Sequence, residues 1–296
     1  MLSFFFILLA VMQVNPSVAE STKKLSELDA FLKDLRANLR SDRILQNQYT
    51  FNLKRTKIQL DKEGNPKKIE VDKYEVFPSL DNEYTYVRQI VKDGKPVDPE
   101  KIEERDRSHA QKMKKLAKEL TEEGIDEKTR RLRKEDEEKR KEDRVIDELF
   151  RMYEFSLVQR DIFDGYPAII LDFRPRPDFK PSTREGKVLS KLAGRAWICE
   201  EDHQLMRADV EFIDNVSFGM GLLARLHKGT KASILRRRIN NEVWLPAEAH
   251  IEGSARILLL KKLEFNTTNE YSNYKKFVVD TTVEYGRSEH KTESTP

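Results

Sequence analysis

From Phe155 onward the apolar residues of the chain recur at every second position, and that periodicity limits what it can become. The clearest run is 206–212, where Met206, Ala208, Val210 and Phe212 alternate with Arg207, Asp209 and Glu211. Such alternation gives a β-strand one apolar and one wet face. Related segments are "FSLVQRDIFDGYPAIILDFRPRP" (155–177), "MGLLARLHKG" (220–229), "ASILRRRIN" (232–240), "EVWLPAEAHIEG" (242–253), "ARILLLKKLEFN" (255–266) and "NYKKFVVDTTVEYG" (273–286). Tight connections such as Asp164-Gly165 make neighbouring strands antiparallel. Short, regularly spaced strands favour a sandwich or a barrel-like sheet.

The N-terminal part reads differently. Residues 1–19 carry an apolar stretch from Leu2 to Val14, then Pro16 and the small residues Ser17 and Ala19. This is the pattern of a signal peptide cleaved after Ala19, and it predicts export, with an uncleaved anchor as the alternative. The stretch is shorter than the roughly twenty apolar residues of a membrane span. No Lys or Arg precedes it, and no Cys follows it to accept lipid at a lipobox. Residues 22–45 predict an amphipathic helix, with Leu25, Leu28, Phe31, Leu32, Leu35 and Leu39 at three- and four-residue spacing. Ser21 or Thr22 can cap its start. From Tyr49 the period becomes two, and "DKEGNPKK" (61–68) turns the chain into "IEVDKYEVF" (69–77). A third strand, "EYTYVRQIVKDGKP" (83–96), ends in another Gly/Pro turn.

Residues 98–150 are of another kind. In "DEKTRRLRKEDEEKRKEDR" (126–144) only Thr129 and Leu132 are uncharged, and opposite charges fall at i, i+4 spacing. Many small pair energies support a solvated helix of this sort. Apolar residues gather at its flanks: Met113, Leu116, Ala117 and Leu120 before it, Ile146, Leu149, Phe150 and Tyr153 after it. The expectation is two packed helical ends with an exposed charged middle, inserted between strands. Over the whole chain 55 basic residues are interspersed with 52 acidic ones, for a net charge of +3. A nucleic-acid binder concentrates basic charge on one face, so no nucleic-acid partner is expected.

The densest chemistry-bearing stretch is Cys199-Glu200-Glu201-Asp202-His203. It lies between "AWIC" and the alternating strand 206–212, so Glu201 to Gln204 form a hairpin tip, where polar side chains satisfy exposed backbone groups. Cys199 and His203 fall on opposite sides of the turn and match no metal-ligand spacing, and the other histidines are scattered. No phosphate loop, nucleophile elbow or H-E-x-x-H is present. Cys199, the single cysteine, reads as a small core residue and allows no intramolecular disulfide. No catalytic residue, metal or cofactor is expected. In "LRRRIN" (235–240) Arg236 and Arg238 share one strand face and are candidates for anionic headgroups, with a plain solvent-facing edge as the alternative. Asn215-Val-Ser and Asn266-Thr-Thr fit the glycosylation pattern, which matters only in a eukaryotic secretory pathway.

The order of elements, with "GYPAIILDFRPRP", "GRAWICEEDHQLMRADVEF", "NNEVWLPAEAHIEG" and "NYKKFVVDTT", resembles the periplasmic lipoprotein-sorting proteins of the LolA/LolB type. The resemblance covers roughly residues 22–97 and 150–286, and the charged insertion departs from the compact members. It implies an α+β fold: a curved antiparallel sheet, an incomplete barrel, covered by helices around an apolar cavity for acyl chains. It also implies carrying or sensing such chains without catalysis. Leu222, Leu226, Leu245, Leu259 and Phe265 are then the cavity candidates, and the alternative is that they pack on one another or on the 22–45 helix.

The expected organisation is a leader at 1–19, a helix and first strands at 20–97, the charged helical insertion at 98–150, the remaining strands at 151–287 and a polar tail at 288–296. The expected function is periplasmic, non-enzymatic binding or carriage of a lipid or an acylated lipoprotein, with peripheral membrane contact. Two rivals stay open. One is a structural or regulatory envelope protein of the same fold that reaches an envelope protein partner through 98–150. The other is a hydrolase, which requires a converging acid, histidine and nucleophile.

Overall fold

The computed structural model describes residues 16–39, 47–78, 85–218, 224–257 and 261–276. The expected leader core, helix residues 40–45 and the tail 288–296 lie outside these.

The chain begins with helix α1 (Pro16–Asn38), with Pro16 at a first position where its missing N–H costs nothing. α1 starts before the position expected from periodicity and runs across Ala19. Strands β1 (Tyr49–Leu60), β2 (Pro66–Phe77), β3 (Tyr86–Lys92) and the short β4 (Lys95–Pro96) follow as a meander. Asp93-Gly94 closes the β3–β4 hairpin with both residues at positive φ, a turn whose twist matches the strands it joins.

The insertion is two helices, α2 (Pro99–Glu122) and α3 (Ile125–Met152). Asp98 caps α2 by accepting from the Glu100 amide, and Pro99 follows it. The helices separate at Glu123 and Gly124, whose backbones are extended, so the break precedes the charged run rather than falling inside it. At 24 and 28 residues the helices are about 36 and 42 Å long. They pack at opposite ends, α2 against β3 and α3 against α1, β5 and the short helix α4 (Arg184–Leu189).

After α3 come β5 (Tyr153–Phe163), β6 (Tyr166–Pro175), β7 (Leu192–Cys199), β8 (Leu205–Phe212), β9 (Val216–Phe218), β10 (Ala224–Leu226), β11 (Lys231–Ile239), β12 (Val243–Ile257) and β13 (Lys261–Lys276). All pairings are antiparallel, in the order β4-β3-β2-β1-β13-β12-β11-β8-β7-β6-β5, with β10 alongside β12 and β9 alongside β10. β4 and β5 stand at opposite edges, so the sheet is open, and α2 and α3 link one edge to the other. The fold is therefore α+β: an antiparallel sheet not closed into a barrel, carrying helices and a long charged helical insertion. Register shifts in β1, β5, β8 and β11 mark bulges, which bend strands.

Gly253 had suggested a boundary between two strands, but β12 runs through it to Ile257. The glycine is there for close approach: a Cβ would stand 2.4 Å from Thr230 Oγ1. What was expected as the end of one strand and the start of another is the single strand β13.

Candidate functional site

The apolar face of α1 is built from residues three and four apart. Phe31 and Leu35 are buried against Ile169 and Leu171 of β6 and Ile198 of β7, with Leu28 and Leu32 partly buried beside them. The C-terminal end of α1 is held by the acidic turn: Gln204 Nε2 donates to the Asn38 carbonyl at 3.1 Å, and the His203 ring lies 4.9 Å from the Phe31 ring. Arg36 reaches Asp147 on α3 at 2.6 Å. This pair is exposed and contributes little energy.

The sequence stretch that looked most like a catalytic cluster is thus a hairpin that docks a helix. Asp202 accepts from the Trp244 indole at 2.8 Å and from the Gln204 amide at 3.2 Å. Cys199 is buried in a cluster with Ala168, Met206 and Trp244, and burial raises its thiol pKa. Among the described residues no group of three or more His, Cys, Asp and Glu is placed to hold a metal ion.

The face of the sheet under α1 continues beyond the helix. Leu171, Ala196, Ala208, Ile234 and Ala249 stand opposite one another in turn across β6, β7, β8, β11 and β12. Residues in register share a face, so this is one apolar floor, half buried from Ala196 to Ala249. Leu226 lies opposite Ala255, which lies opposite Leu263, and Phe265 lies opposite Gly253. By the alternation of β12 these positions share the floor's face. Leu245 is buried elsewhere, with Tyr49 and Val243. Leu222 and Leu259 lie outside the described residues.

Two clefts open on this framework. The first, about 840 Å³, lies between α1 and the β5–β6 edge. Leu28, Leu32, Phe150, Tyr153, Phe155 and Phe173 give it apolar walls, and Lys33, Arg36, Arg174 and Arg176 bring charge to it. Phe155 and Phe173 pair directly across β5 and β6. Tyr153 donates its hydroxyl to the Leu189 carbonyl at 2.7 Å, and burial raises its pKa. The second, about 830 Å³, crosses β6, β7, β8, β11 and β12. Asp172, Arg195, Asp209, Ser233 and His250 follow one another in register there, on the face away from the apolar floor. Arg195 donates to Asp172 at 2.7 and 3.0 Å and holds that carboxyl below its usual range. His250 shares a hydrogen bond with Thr268 at 2.9 Å. Leu226, Leu245 and Phe265 are absent from both linings.

Arg236 donates to the carbonyls of Leu205 and Trp244. Arg238 faces Glu201 at 3.6 Å and Asp202 at 3.8 Å, and lies over the Tyr166 ring. Both headgroup candidates are thus engaged within the fold. The aromatic walls of the first cleft were not singled out from the sequence. Their signal was the alternation of Phe155, Leu157 and Phe173, Leu171 combined with the apolar stripe of α1.

No protein-family model and no curated protein matches the sequence. Among solved structures the chain is similar to a LolA superfamily protein from Nitrosomonas europaea, at 10% identity and TM-score 0.32, over 82% of this chain and 92% of that one. It is similar to a domain described as an outer membrane lipoprotein-sorting protein from Vibrio parahaemolyticus, at 10% identity and TM-score 0.31, over 86% and 95%. It is also similar to the MucA/MucB complex of Pseudomonas aeruginosa, at 8% identity and TM-score 0.22, over 81% and 94%. The family resemblance read from the sequence points to the same group of proteins, and at these TM-scores the likeness carries no argument about function.

Proposed function

We propose that this protein is a periplasmic, non-enzymatic binding or carrier protein for the acyl chains of a lipid or an acylated lipoprotein. The chain lies in the cleft between α1 and the β5–β6 edge. The observation that carries this reading is the cleft's composition: aliphatic side chains of α1 face Phe150, Phe155 and Phe173, and charge is present in the same lining. Ligand sites of this size are largely apolar with a few placed polar groups. Each buried methylene is worth about 0.8 kcal/mol, so a long acyl chain gains enough to leave water. Arg36, Arg174 and Arg176 are placed to meet the polar end.

A titration with a fluorescent fatty acid tests this. Wild-type protein is expected to raise the probe's emission saturably, and a long-chain phospholipid is expected to displace it. Leu28→Asp places a charge in the lining and is expected to weaken binding at least tenfold. A wild-type protein that leaves the probe's emission unchanged overturns the reading.

A second reading has its own observation. Ile125 is 86% exposed and Leu132 49% exposed, on an arm whose packing contacts lie at its ends. A regulatory protein acting through this arm would bind an envelope partner there. Excising 126–143, eighteen residues or about five helical turns, keeps the helix in phase. The carrier reading expects the fatty acid titration to be unchanged, and the regulatory reading expects loss of a partner.

A further inference from the structure

Most arginines of the sheet have partners, and one row does not. Arg225 on β10 lies directly opposite Arg256 on β12, and Arg256 lies directly opposite Lys262 on β13. Ser217 on β9 completes the row beside Arg225. Like charges placed opposite one another across strands repel. Among the described residues no carboxylate lies within 4.0 Å of any of the three cations. The acid nearest in effect, Asp214, is held by Lys191 at 3.2 Å, and Lys191 and Arg225 together lower its pKa. Glu264 stands one rung along, opposite Ser254. The Arg225 Nε is buried without a hydrogen-bond partner, although the side chain as a whole is only half buried. A buried donor of this kind is uncommon and calls for an acceptor.

The row spans three strands, about 10 Å at the usual inter-strand spacing. That is wider than one phosphate group and suits several monovalent anions side by side. Lys262 and Ser217 are exposed. By the alternation of β12, Arg256 faces away from the apolar floor that carries Ala249 and Ala255. The row therefore lies on the face opposite the proposed acyl cleft.

We infer that Arg225, Arg256 and Lys262 form a binding site for phosphate-bearing anions whose occupant is the headgroup layer of an anionic phospholipid surface. Arg236 and Arg238, which the sequence offered for that role, are taken up inside the fold, and this row holds cations that are not. The site docks the sheet on a membrane while the acyl cleft stays on the other face. It goes beyond the carrier reading and does not depend on it.

The test is co-sedimentation of the full chain with large unilamellar vesicles of phosphatidylcholine alone or with added phosphatidylglycerol. Wild type is expected to bind only the phosphatidylglycerol vesicles and to be released by salt. Each lost charge is expected to weaken binding about fivefold, so R225Q/R256Q loses about 25-fold. Lys262→Glu, at an exposed position, keeps the test decisive if the double variant does not fold. R130Q/R133Q on α3 removes the same net charge and is expected to retain wild-type binding. An equal loss in that control overturns the site. So does absence of binding to phosphatidylglycerol vesicles. Calorimetric binding of inorganic phosphate, with none to vesicles, assigns the row to free phosphate and overturns the membrane assignment. The fatty acid titration is expected to be unchanged in R225Q/R256Q. A wild type that binds vesicles but no fatty acid removes the carrier reading alone.

Discussion

The Thr183 amide donates to Glu148 Oε2 at 3.1 Å, joining the end of the charged helix to the start of α4. The Thr183 hydroxyl, the Ser182 amide and the Ser182 hydroxyl also donate to this carboxylate, which is 1% exposed. Burial pushes its pKa up, but the four donors outweigh burial and hold it at about 2. A folded-state pKa below the unfolded one contributes stability above the unfolded value, and that stability is lost as pH falls toward the folded value. Glu148→Gln replaces two acceptor oxygens with one and is expected to cost about 2 kcal/mol at neutral pH. Urea denaturation at a series of pH values checks this. Wild type should lose stability between about pH 4.5 and 2, and the variant should lose less of it there.

Gly186 lies against the same carboxylate: a Cβ on it would stand 2.0 Å from Glu148 Oε2 and 2.8 Å from Thr183 Oγ1. Gly186→Ala is expected to cost about 1–3 kcal/mol through forced displacement of the carboxylate. The thermal midpoint reads this directly, and an unchanged midpoint contradicts the packing described.

Cys199 is fully buried in a strand, and burial raises its thiol pKa, which keeps the group neutral and unreactive at pH 8. An aromatic disulfide reagent is expected to leave native protein unlabelled and to label one thiol per chain in denaturant. Fast labelling of folded protein would show an accessible nucleophile and revive the enzymatic reading.

The charged middle of α3 is held by exposed pairs such as Arg131–Glu135 at 2.9 Å and Arg140–Asp136 at 2.7 Å. Exposed pairs contribute about 0–1 kcal/mol each. Arg140→Ala is therefore expected to change global stability by no more than about 0.5 kcal/mol. Amide hydrogens of 126–144 are expected to exchange well before those of β6 and β7, which lie under α1. Equal protection in the two regions would contradict the described packing of the arm at its ends.

Much of the sheet was legible because local chemistry and tertiary context agree. The alternation at 206–212 and the turns at Asp93-Gly94 and Asp164-Gly165 fall where the sequence puts them. Gly253 misled because a glycine marks either a turn or a close approach, and only the position of Thr230 separates the two. Glu148 sits four residues after the charged run and carries no local sign of burial, since its donors come from a loop more than thirty residues away. The first cleft was partly legible. The stripe of Leu28, Leu32 and Phe31 announces a buried helix face, but strand order, a long-range property, decides that it meets Phe155 and Phe173. The basic row escaped notice for the same reason: Arg225, Arg256 and Lys262 come from three separate segments, whereas "LRRRIN" displays its arginines together.

Native mass spectrometry of the protein purified without detergent from a bacterial envelope tests the proposed acyl site most directly, alongside Leu28→Asp and Phe173→Asp. The expected result is near-stoichiometric phospholipid or acylated peptide on wild type and its loss from both folded variants. A wild type that is free of lipid and takes none up when offered it would contradict the proposal.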